Sequence, residues 1–169
     1  MLLDTYRELQ KIAIQEVSSL DQLLTNFVRV TDVDDSPDLT DVHPRDRADI
    51  DLHFTKVTQS LYPNTFNYIQ KLSGVKDYTL IGFGPQSQLY PHVDTVSLPP
   101  YSEIDWVSVY IGIMVPSYDV NKVAVRVGEQ IFDHRDIIVF DTQVPHSAWN
   151  WTNDWWISIR LSIDKTIFQ

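Results

Sequence analysis

No cysteine occurs among the 169 residues, so disulfides, thiolate metal sites and cysteine nucleophiles are excluded. Basic residues are scarce. Thirteen Lys and Arg stand against twenty-three acids, a formal charge of −10 that opposes non-specific binding to nucleic acid or to an anionic membrane surface. No run approaches the roughly 18 apolar residues of a membrane span. The start, Met1-Leu2-Leu3-Asp4, lacks the basic residues and long apolar stretch of a signal peptide, so a soluble cytoplasmic protein is expected. Five glycines are present, without a glycine-rich phosphate fingerprint. Against these absences, 43% of residues are hydrophobic and 21% charged, enough for a sizeable core. The length and the lack of a linker or repeat predict one domain over 1–169, with the oligomeric state left open.

The first third reads as helical. Asp4 can cap a helix over 4–27, where Leu9, Ile12, Val17, Leu20, Leu24 and Phe27 recur at spacings near three and four, a stripe suited to covering a sheet face. Residues 31–51 are rich in Asp and broken by Pro37 and Pro44. They lack the Gly and terminal Glu of a calcium loop, and read as a solvated loop. A short helix is expected around 54–60 and another over 64–72, capped by Asn64 and ended by Gly74.

From residue 77 the period shortens to that of strands. Extended segments are expected at 78–83, 87–94, 106–115, 123–127, 130–132, 136–141 and 155–163, separated by Gly, Pro and polar turns. Helices followed by many short strands predict an antiparallel sandwich or open barrel and oppose a Rossmann fold.

Two polar phrases interrupt this apolar pattern: Pro91-His92-Val93-Asp94 and Pro145-His146-Ser147-Ala148-Trp149-Asn150. On a strand, His92 and Asp94 face the same way. With His146, which follows the apolar run Ile137-Ile138-Val139-Phe140 and Asp141, they make two imidazoles and one carboxylate, a ligand set that suits non-haem Fe(II); zinc is not excluded. Each residue also has a plain structural reading: a surface or core histidine, a turn-capping aspartate, a histidine bonded within its loop. His43, His53 and His134 have no partner at strand spacing. Arg160 lies on the polar side of the last strand with Ser158 and Ser162, and its fork suits a carboxylate, unless that side faces solvent. Asn150-Trp151-Thr152 fits the glycosylation pattern, a match short enough to arise by chance.

His92-Val93-Asp94, Gly128, Ile138-Val139-Phe140-Asp141, His146, Trp149-Asn150 and Arg160-Leu161-Ser162-Ile163-Asp164 together resemble the Fe(II)- and 2-oxoglutarate-dependent oxygenases. The phrasing over 78–164 is most similar to the aspartyl/asparaginyl beta-hydroxylase group. The resemblance implies a mainly β fold, a double-stranded β-helix or cupin-like jelly roll, behind a cover of N-terminal helices. It further implies Fe(II) on His92 and His146, and 2-oxoglutarate held through its distal carboxylate by Arg160, with Thr79 as a helping hydroxyl.

Two departures qualify it. Asp94 stands where the best-known beta-hydroxylases have no acidic ligand, although most of the wider superfamily does, and it opposes the halogenase variant. The cosubstrate arginine of that group comes earlier, where this chain has Trp155 or Trp156. The implied activity is hydroxylation of a C–H bond in an amino acid or other small polar metabolite. A peptide or protein side chain is the alternative substrate, and a non-catalytic cupin-like metal- and ligand-binding protein the alternative class. Arg126 and Trp149 are candidate substrate contacts, and Tyr90, Tyr101, Trp106, Tyr110, Trp151, Trp155 and Trp156 supply further aromatic surface toward the expected mouth.

Overall fold

Alternating burial along the second half of the chain builds two sheets, as a computed structural model shows. Residues 2–17, 19–29, 52–93, 106–133 and 137–168 are described. Asp94, His134, the acidic segment 31–51 and the connection 95–105 lie outside them. The larger sheet contains β1 (Val28–Arg29), β2 (Leu52–Lys56), β3 (Val75–Phe83), β10 (Trp156–Asp164), β5 (Trp106–Met114) and β8 (Ile138–Asp141), in that order. The smaller one runs β4 (Ser87–His92), β9 (His146–Asn150), β6 (Val123–Val127) and β7 (Gln130–Phe132). All pairings are antiparallel, and consecutive strands repeatedly switch sheets. This is the jelly roll, or double-stranded β-helix.

Strand parity decides what each sheet face touches. On β10, Ile157, Ile159, Leu161 and Ile163 turn outward and join Val107, Val109, Ile111 and Ile113 of β5. Helix α1 (Leu2–Glu16) seals this face with Tyr6, Leu9 and Ala13. Each fully buried aliphatic side chain there contributes about 1.5–3 kcal/mol. The opposite, inward parity carries Ile81, Phe83, Leu89, Tyr110, Val123, Val125, Ile138, Phe140, Ala148 and Trp156, which fill the space between the sheets. Trp156 is fully buried and stacks on Phe83 with ring centroids 4.7 Å apart, filling one end of the interior.

The expected continuous helix over 4–27 is two helices. Ser19 has extended backbone and accepts from the Gln22 N–H, starting α2 (Leu20–Asn26) afresh after α1. The short helix expected at 54–60 is instead strand β2, because pairing with β3 supplies its backbone bonds. Helix α3 (Pro63–Ile69) forms close to expectation, with Pro63 in its first turn. Its cap is not Asn64: the Glu16 carboxylate accepts from the Asn64 and Thr65 N–H groups at 2.9 and 2.8 Å. Gly74 follows with φ +74, the left-handed conformation that glycine adopts without strain.

Among the described residues, no helix is long and apolar enough to cross a membrane.

Candidate metal and cosubstrate site

His92 ends β4 and His146 begins β9, and the two are direct cross-strand partners. A register irregularity between Leu89 and His92 brings His92 opposite His146. Both are buried, 8% and 5% exposed, with ring centroids 4.3 Å apart. The Phe140 ring packs against His146 at 4.9 Å. Two nitrogens on one metal at about 2.0–2.1 Å each lie no more than about 4.2 Å apart, so rings this close can serve one cation.

The tautomer of His146 is set by its neighbour. Nδ1 lies 2.9 Å from the Val144 carbonyl oxygen. A carbonyl only accepts, so Nδ1 of the neutral ring donates and Nε2 keeps its lone pair for a ligand. The donor chemistry therefore fits a divalent transition metal. Among the described residues no third His, Cys, Asp or Glu completes a cluster with the pair; Asp94, the expected carboxylate donor, lies outside them.

Arg160 has the inward parity of β10, shared with Trp156. Its cross-strand partners are Thr79 on β3 and Tyr110 on β5, so all three belong to one level of the interior. Tyr110 is buried and meets Phe140 edge-on at 5.4 Å. One level toward the histidines come Asp77, Ser162, Ser108 and Phe140, again in register. Arg160 thus sits two residues, about 6.6 Å along the strand, deeper than the level of the ring that packs on His146. An Nη of Arg160 donates to an Asp77 carboxylate oxygen at 3.3 Å. Asp77 was not singled out in the sequence, although its spacing of two from Thr79 gives it the same face.

Arg126 and Trp149, expected as substrate contacts, are turned away from the interior. Val125 and Ala148 hold the inward positions, so strand alternation sends their neighbours outward. Arg126 is exposed, its Nε donating to the Gly128 carbonyl, and the Trp149 indole donates to the Val120 carbonyl. Other aromatics scatter similarly. Trp155 packs outside with Phe27 and His53, Trp151 is exposed, and Trp156 closes the far end of the interior rather than its mouth. Trp106 and Tyr110 are the two that share the inward parity of β5; Tyr101 lies outside the described residues.

Asn150 is fully buried, its amide donating to the Phe83, Gly84 and Asp154 carbonyls. A side chain so used locks two turns together and is inaccessible to glycosylation. Clefts of about 480 and 300 Å³ lie along the helices and share no residue with the histidine–arginine interior.

The sequence pattern of the aspartyl/asparaginyl beta-hydroxylase family matches residues 50–159, about two thirds of the chain, and takes in both histidines. The chain belongs to that family. The match stops one residue short of Arg160. No curated protein matches the chain in sequence.

A prolyl-4-hydroxylase from Pseudomonas putida shares the fold. It is 9% identical, with a TM-score of 0.61 over 92% of this chain and 86% of its own. The cupin domain of Schizosaccharomyces pombe Cnp3 gives 0.44 at 8% identity, over 69% of this chain and 67% of its own. A predicted oxalate decarboxylase from Thermotoga maritima gives 0.42 at 10%, over 67% and 80%.

Proposed function

We propose that the protein is an Fe(II)- and 2-oxoglutarate-dependent oxygenase that hydroxylates a C–H bond of an amino acid or another small polar metabolite. The observation that carries this reading is the buried His92–His146 pair, with the Val144 carbonyl fixing one ring for ligation. Both histidines would hold the metal, and Asp94, two residues after His92, would add the carboxylate donor. Arg160 would take the distal carboxylate of 2-oxoglutarate through charge-assisted hydrogen bonds, with the Thr79 hydroxyl beside it.

Bound iron supplies the oxygen chemistry: one atom of O₂ enters the substrate as hydroxyl and the other enters the cosubstrate, which leaves as succinate and carbon dioxide. The chain's own work is binding, orientation and exclusion of water. Phe140 and Tyr110 wall the space between the histidines and Arg160 with apolar surface, which strengthens every charged contact made inside it. No side-chain base has to create the oxidant.

The family match supports a peptide or protein aspartyl/asparaginyl side chain as the second substrate class.

Anaerobic reconstitution with Fe(II), followed by 2-oxoglutarate titration and metal-centred absorption, tests the assignments. The wild type forms a ternary complex, His146→Ala loses the metal, and Arg160→Ala chiefly weakens 2-oxoglutarate binding. Wild-type complexes from both variants would overturn the reading. Oxygen-dependent succinate formation, with product mass on metabolite and peptide panels, then separates the substrate classes. Retained iron without turnover on either panel favours a ligand-binding protein.

A further inference from the structure

The cosubstrate anchor already has an anion beside it. Asp77 and Thr79 lie on the same inward side of β3, and β10 places Arg160 opposite Thr79 and Ser162 opposite Asp77. The Asp77 carboxylate therefore reaches Arg160 diagonally, on the side toward the two histidines. That is the side from which a diacid chelating the metal would approach the guanidinium. Their contact is long: 3.3 Å, against about 2.7–2.9 Å for a well-made charge-assisted bond. The side chains retain 35% and 48% exposure, so the pair is loosely held and partly wet.

We propose that Asp77 is a built-in counter-anion of Arg160, which the distal carboxylate of the cosubstrate must displace or share, and that it thereby weakens and tunes cosubstrate binding. This rests on the reading of Arg160 as the carboxylate anchor. Without a ligand, Asp77 offsets part of the guanidinium charge inside the jelly roll. With one, two carboxylates face a single guanidinium, and their repulsion opposes the incoming group. A neutral isostere removes that repulsion while keeping the side-chain shape and a hydrogen-bonding oxygen.

The test is anaerobic calorimetry on the Mn(II)-loaded protein. Asp77→Asn binds 2-oxoglutarate about fivefold more tightly than wild type, the scale of one partly exposed charge pair. The same variant binds 2-oxobutyrate, which has the chelating end but no distal carboxylate, as wild type does. Unchanged or weaker 2-oxoglutarate binding would overturn the proposal, the weaker result marking Asp77 as a brace for Arg160. Equal tightening of both ligands would also overturn it, since the effect would then not pass through the distal carboxylate. Arg160→Ala provides the separate check. If it binds 2-oxoglutarate like wild type, the anchor assignment itself fails, whatever Asp77→Asn does. Unfolding midpoints of the variants confirm that folded proteins are being compared.

Discussion

Asp141 ends β8 facing away from the histidines, yet it bears on one of them. The Lys165 ammonium donates to its carboxylate at 2.6 Å, the Gln143 N–H donates at 2.9 Å, and its own carbonyl accepts from the Val144 N–H. These bonds brace the turn whose Val144 carbonyl orients His146. The Lys165 bond, aided by that of Gln143, holds the Asp141 carboxyl below its ordinary value of 3.8 against the opposing effect of burial. A depressed folded-state value stabilises the fold above the unfolded pKa, and the contribution is lost as pH falls through the folded one. Both partners are roughly one-third exposed, which limits the effect. Asp141→Asn should lower stability at pH 7 by up to about 1 kcal/mol, and the gap to wild type should narrow below pH 4. Urea unfolding at both pH values measures this; a gap of equal size at each would show that the ion pair is not its source.

The seven-residue helix α3 depends on an acceptor from another helix. Tyr62 at its N-cap provides no side-chain bond, so two of the N–H groups left open at the start of α3 are satisfied by Glu16, the last residue of α1. Glu16→Ala should cost about 1–2 kcal/mol in chemical denaturation, and Glu16→Gln, which keeps an acceptor oxygen, clearly less. Equal losses would mean that packing between α1 and α3, not capping, had been disturbed. An acceptor 48 residues away cannot be read from local spacing, which offered Asn64 instead. The same limit explains β2, whose extended form comes from its ladder with β3 rather than from its own pattern. By contrast, β3, β5 and β10 were legible because their apolar runs are long and strand-forming. Parity showed that Arg160 shares a face with Ser158 and Ser162, but not that this face looks inward. Arg126 has the same local appearance and looks outward. Only the pairing of whole strands separates them.

For the whole molecule, His92 and His146 stood out in the sequence because imidazoles interrupt apolar strands, while their convergence needed the jelly roll. Strands that repeatedly switch between the two sheets bring β4 beside β9, although His92 and His146 are 54 positions apart in the chain. The unfolded chain cannot hold these side chains together, so a metal on them binds the folded state almost alone. Such a ligand stabilises by about 2.7 kcal/mol at one hundred times its dissociation constant, which for a chain of this size is on the order of 5–10 °C in Tm. Anaerobic Fe(II) or Mn(II) should therefore raise the melting temperature of the wild type by that amount and leave His146→Ala unmoved. Adding 2-oxoglutarate should produce a second rise that depends on metal, since its 2-oxo acid end would bind by chelating that cation. The second rise should shrink in Arg160→Ala while the first remains. A metal-induced rise of full size in His146→Ala would place the cation elsewhere, and a 2-oxoglutarate rise without metal would separate the anion site from the histidine pair.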